Sequence, residues 1–213
     1  MSSRVEPLPK RLVVGVLLMT VVVLGLGGAI VVLKLRPAAL PSSAIDRQVA
    51  EWQRAVLANP EDDSARVGLG LALLDAGKTD EAQDAFQEAL DLNDENWMAL
   101  FQLGLIAAPD DPTQALELFK RSISLAPEGN RAVVLIAEGD LLMEQGKPKA
   151  ATGAYEASIV DTPFIIDSHL GLARALEELG DEKRALKEYR AAARFDPSNQ
   201  EIADAIARLT DEK

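Results

Sequence analysis

KTDEAQDAFQEALDLND, residues 78–94, reads as one amphipathic helix that ends at a turn, and the chain repeats its pattern three more times. The echoes are DPTQALELFKRSISLAP (111–127), KPKAATGAYEASIVDTP (147–163) and DEKRALKEYRAAARFDP (181–197). Aligned, they place a small residue at Ala82, Ala115, Ala151 and Ala185 and an aromatic ring four positions later, at Phe86, Phe119, Tyr155 and Tyr189. A second small residue follows at Ala89, Ser122, Ser158 and Ala192. Residues three and four apart share a helix face, so these positions form one stripe. The helices stop at Asp94, Pro127, Pro163 and Pro197; proline cannot continue the hydrogen-bond ladder. Successive spacings of 33, 36 and 34 give a period near 34, with insertions and deletions confined to turns.

Each echo follows another helical stretch, at 65–77, 97–108, 132–146 and 169–180. Small residues recur there too, at Gly70, Gly104, Gly139 and Ala173, where two helices would cross closely. A turn glycine closes three of the four stretches, at Gly77, Gly146 and Gly180. The pattern resembles the tetratricopeptide repeat, a helix-turn-helix unit of about 34 residues. The resemblance covers residues 44–213 and implies an all-α solenoid of about four repeats. Trp52, Ala55 and Pro60 match the aromatic, second small residue and turn, so 44–60 reads as the second helix of an incomplete leading repeat. Residues 199–209 carry an apolar stripe of Ile202, Ile206 and Leu209 and read as a C-terminal capping helix, which solenoids need. Repeat two departs from the pattern. It has APDDPTQ in place of the turn glycine and is one residue short, so its turn must be reshaped.

The formal net charge of −12 mixes two regions. Residues 1–36 hold Arg4, Lys10, Arg11, Lys34 and Arg36 against Glu6, which leaves 17 basic and 33 acidic residues in the remainder. So acidic a body repels phosphate backbones, and nucleic acid is not an expected partner. Leu12 to Leu33 is an uncharged run of 22 residues, enough as a helix to cross roughly 30 Å of hydrocarbon. It is longer than the apolar region of a signal peptide. The expected organisation is a short tail at 1–11, a transmembrane helix at 12–35, a proline-containing linker at 36–43 and the repeats at 44–213. The basic residues flanking the span nearly balance. The short tail favours an N-terminus inside and an exported repeat domain.

Chemistry-bearing residues are sparse. There is no cysteine, and His169 is the only histidine, with Asp167 near it. One histidine without a second ligand reads as packing rather than a metal site. The acid pairs Glu177/Glu178 and Asp110/Asp111 read as solvated charge, and LGLGG (24–28) follows no predicted strand, so no phosphate loop is expected. Neither enzyme activity nor a cofactor nor a small-molecule substrate is expected.

What the resemblance implies instead is a groove, lined by first helices, that receives a peptide or helix of a protein partner. Carried over, its positions are Ser64, Val67 and Leu71 in repeat one and Met98, Phe101 and Leu105 in repeat two. Repeat three contributes Val133, Ile136 and Asp140, and repeat four Asp167, Leu170 and Arg174. The apolar set is Val67, Leu71, Met98, Phe101, Leu105, Ile136 and Leu170. With Val67, Leu71 and Phe101 where a carboxylate clamp would need Lys, Arg or Asn, that clamp is not expected. The layout is similar to periplasm-facing ancillary proteins of the bacterial secretion translocon. VAEWQRAVLANPEDDSARVGLGLAL (49–73) also resembles repeat domains of cytochrome c maturation proteins, which hold apocytochrome tails. The expectation is a membrane-anchored scaffold that assists assembly or maturation of a membrane complex, or else a permanent subunit of one.

Overall fold

The turn signals place the helices. In the computed structural model, which describes residues 20–24, 30–34 and 43–211, α1 (Ala44–Ala58) leads and four helix pairs follow. They are α2 (Asp63–Asp75) with α3 (Thr79–Leu92), α4 (Trp97–Ala107) with α5 (Pro112–Leu125), α6 (Arg131–Glu144) with α7 (Pro148–Asp161), and α8 (Ile166–Glu178) with α9 (Glu182–Ala192). α10 (Gln200–Asp211) closes the array. Short links make neighbours antiparallel, and the main packing is between helices adjacent in the chain, with α6 also meeting α8. The all-α solenoid expected from the repeats, with its leading helix and cap, is what forms among the described residues.

Gly77, Gly146 and Gly180 end α2, α6 and α8 at φ of 72°, 66° and 76°, a left-handed conformation in which a Cβ is costly. Repeat two solves its turn differently. The Asp111 carboxylate accepts from the N–H groups of Thr113 and Gln114 at 3.1 and 2.9 Å, and Pro112 occupies the first helical turn, where its missing N–H is harmless.

The small-and-aromatic stripe is the core. Phe86, Phe119, Tyr155 and Tyr189 are all buried. A Cβ on Gly70 would lie 2.5 Å from the Phe86 ring, one on Gly104 2.5 Å from Phe119, and one on Gly139 2.6 Å from Tyr155. Each ring therefore fills the space its glycine leaves empty, and Tyr155 also lies against Gly171 of the next repeat. Where serine replaces alanine at the second small position it is fully buried and satisfied. Ser122 Oγ donates to the Trp97 carbonyl at 2.8 Å and Ser158 Oγ to that of Ala132 at 3.1 Å. In α10, Ile202 and Leu209 are buried and Ile206 half-buried, as a cap requires.

The described residues before α1 are a unit of their own. Within the span expected as one helix, the described residues form two strands, β1 (Thr20–Leu24) and β2 (Ile30–Lys34). They pair antiparallel, with Val22 opposite Val32. Thr20, Val21, Val22, Val23, Ile30, Val31 and Val32 are β-branched, a composition that favours extended backbone. The rest of 12–35 lies outside the described residues, as do the tail at 1–11 and the linker up to residue 42. Among the described residues no helix is long and apolar enough to cross a membrane.

Candidate partner-binding cleft

First helices begin beside the turn that ends the preceding repeat, and at the start of α2 and α4 this leaves a cleft of about 500 Å³. Trp52 of α1, Val67 and Leu71 of α2, and Trp97 and Met98 of α4 supply its apolar walls. Its edge is polar and fixed. Asp63 accepts from the side-chain amides of Asn93 at 2.8 Å and Asn96 at 2.7 Å, and Asn96 caps α4 by accepting from the Ala99 N–H at 3.0 Å. Hydrogen bonds from Asn96 first, and then Asn93, outweigh burial and hold the Asp63 carboxyl below its ordinary value. The Trp52 ring lies where a Gly68 side chain would be, so glycine sets the depth of that wall.

Of the groove positions named from the sequence, Ser64, Val67, Leu71 and Met98 come together in this cleft, with Val67 itself buried at its floor. Phe101 is half-buried against Phe119, ring centroids 6.0 Å apart, whereas Leu105 and Val133 are 41% and 45% exposed. Ile136 is half-buried and Leu170 buried; both belong to the packing of repeats three and four. Asp140 is taken up by the Tyr155 hydroxyl, which donates to it at 2.6 Å, and Arg174 by Glu201 of α10. Asp167 is exposed on α8. The apolar groove positions that line the cleft thus belong to repeats one and two, while Val133 is the one exposed apolar position that repeat three adds.

His169 is buried. Its Nε2 donates to the Pro163 carbonyl at 3.2 Å, its Nδ1 lies 2.8 Å from Glu188 Oε2, and Phe195 stacks on the ring. Both ring nitrogens are therefore engaged in holding α8, α9 and the α7–α8 turn together. Glu188 was invisible from the sequence as its partner, because 19 residues and a turn separate them. Trp52 and Trp97 were missed as cleft walls. The one available signal was that Trp97 opens a first helix while Trp52 faces glycine rather than alanine. No group of three or more potential metal ligands occurs among the described residues.

A family model described as tetratricopeptide repeat matches residues 46–82, 68–130 and 136–200, well over half of the chain. The chain belongs to the tetratricopeptide repeat family. Among curated proteins none matches its sequence. Solved structures share the fold at low identity. PilF of Pseudomonas aeruginosa is 18% identical with a TM-score of 0.71, over 79% of this chain and 76% of that one. PilW, described as a widely conserved type IV pilus biogenesis factor, is 17% identical with a TM-score of 0.67, over 79% and 82%. YrrB, described as a TPR protein with an unusual peptide-binding site, is 16% identical with a TM-score of 0.65, over 77% and 84%. Tetratricopeptide repeat proteins serve as protein-interaction scaffolds.

Proposed function

We propose that this protein is a membrane-tethered scaffold that captures an apolar segment of a protein partner and assists assembly of a membrane-associated complex. The observation that carries the reading is the cleft walled by Trp52, Leu71, Trp97 and Met98, continued on α4 by the exposed Leu105. Exposed apolar surface beside a fixed polar edge is the usual form of a protein-docking site. Relatives of the same fold described as peptide-binding or as pilus biogenesis factors support a partner rather than a substrate. The uncharged run Leu12–Leu33 supports tethering, which raises the effective concentration of membrane partners without any catalytic group.

The test is capture by tagged full-length protein extracted in mild detergent, followed by mass spectrometry. Leu71→Glu with Met98→Glu is expected to release the partner that wild type retains, with helicity unchanged by circular dichroism. Retention of the partner by a folded double variant would overturn the reading. Protease added to spheroplasts is expected to cut an exported repeat domain, and protection would reverse that orientation.

A further inference from the structure

The second helices of repeats one and four carry opposite charge at the same positions. Aligned on Ala82 and Ala185, Asp80, Glu81, Asp84 and Asp91 of α3 correspond to Lys183, Arg184, Lys187 and Arg194, with Gln87 facing the place of Arg190. All these side chains are exposed. α3 has no basic residue, while the acids of α9 are Glu182 and the buried Glu188 that holds His169. Arg184 is paired with Glu156 at 2.5 Å and Lys187 lies 3.3 Å from Glu188, but Lys183, Arg190 and Arg194 form no ion pair among the described residues. The intervening second helices carry mixed or no charge there: Thr113, Glu117 and Lys120 in α5, and Lys149, Gly153 and Glu156 in α7.

We propose that the basic outer face of α9 docks on the acidic outer face of α3 of a second copy. Charge complementarity selects that occupant. The spacing is the same on both, so a stripe from residue 183 to 190, about 10 Å of helix, meets its opposite in register, with Arg194 in the turn that follows α9. The two faces cannot meet within one molecule, because α3 and α9 are separated by α4–α8 and pack on their own chain neighbours. The net charge of −12 opposes association, but a screening length of about 8 Å at physiological salt lets the facing stripes dominate at contact. Such a contact uses different patches on the two copies, so it leaves a free α3 face at one end and a free α9 face at the other. It builds head-to-tail chains rather than closed dimers. It leaves the cleft between α2 and α4 open and does not depend on the function proposed for it.

The experiment is sedimentation of the full-length chain in mild detergent across a concentration series. Wild type is expected to grow in mass with concentration, and to lose that growth when salt is raised from about 0.1 M to about 1 M, which shortens screening to about 3 Å. One variant reverses α9 (Lys187→Glu, Arg190→Glu, Arg194→Glu) and a second reverses α3 (Asp80→Lys, Asp84→Lys, Asp91→Lys). Each alone is expected to associate at least about tenfold more weakly, while an equimolar mixture, and a chain carrying both reversals, associate again. Circular dichroism establishes that each variant is folded. A monodisperse wild type, association that ignores salt, or reversals that the mixture does not rescue would each overturn the proposal. The last of these would assign the α9 face to a different acidic partner.

Discussion

Repeats one and two put phenylalanine at the central stacking position, and repeats three and four put tyrosine there. The ring does the same work in both halves, buried against a small residue of the first helix. What changes is the neighbour. The residue after the crossing glycine is Leu71 in repeat one and Leu105 in repeat two, but Asp140 in repeat three, where the Tyr155 hydroxyl donates to it. In repeat four the Tyr189 hydroxyl donates to Glu177 at 2.5 Å. Ring and surface therefore switch together, from an apolar pair to a hydrogen-bonded one. Half of the array keeps leucine at this first-helix position, and the other half spends its polar groups on itself.

The largest expected effect tests the shared part of that comparison. Phe119→Ala removes a fully buried ring and should cost about 3–5 kcal/mol in chemical denaturation. Tyr155→Ala should cost at least as much, and a much smaller loss would mean that the two rings are not equivalent.

The next effect separates the halves. Burial first, and then the bonded carboxylates Asp140 and Glu177, push both phenols above their ordinary value. A folded value raised above the unfolded one stabilises at pH below about 10 and is lost as pH rises beyond it. Tyr155→Phe with Tyr189→Phe should lower stability at pH 7 by about 1–3 kcal/mol and flatten the alkaline limb of stability against pH. An unchanged alkaline limb would show that the hydroxyls do not couple to folding.

The smallest effect belongs to repeat one. The Asp63 carboxyl is lowered, so its contribution is present above the ordinary carboxylate value and fades as pH falls through the folded one. Asp63→Asn should cost about 0.5–1 kcal/mol at pH 7 and make the acid limb shallower. Glu177, where burial is outweighed by hydrogen bonds from Arg208 and Tyr189, is also held below its ordinary value and contributes to that limb from repeat four.

Much of this was legible because a 34-residue period repeats its own control. Ala82, Phe86 and Ala89 recur in phase, and nothing but stacking explains all four sets, so the helices, their order and the cap followed. The groove was half legible. Position along the repeat named Leu71 and Met98, but it could not separate them from Leu170, which the same register buries under neighbours contributed by the C-terminal half. Contacts that join distant segments, such as Asp63 with Asn93 and Asn96 or His169 with Glu188, leave no periodic mark. The span at 12–35 stands apart. An uninterrupted apolar run carries neither a 3.6 nor a 2.0 period, and of this run only β1 and β2 fall among the described residues.

From α2 to α10 each helix leans mainly on its neighbours in the chain, and folding inherits that arrangement. The contacts that must form are close in sequence, so little loop entropy is lost before the first of them is made, and such topologies fold quickly. A nucleus can begin at any adjoining pair and grow toward both ends. The terminal helices α1 and α10, each with one flank unsupported by another repeat, are then the last to join and the first to open.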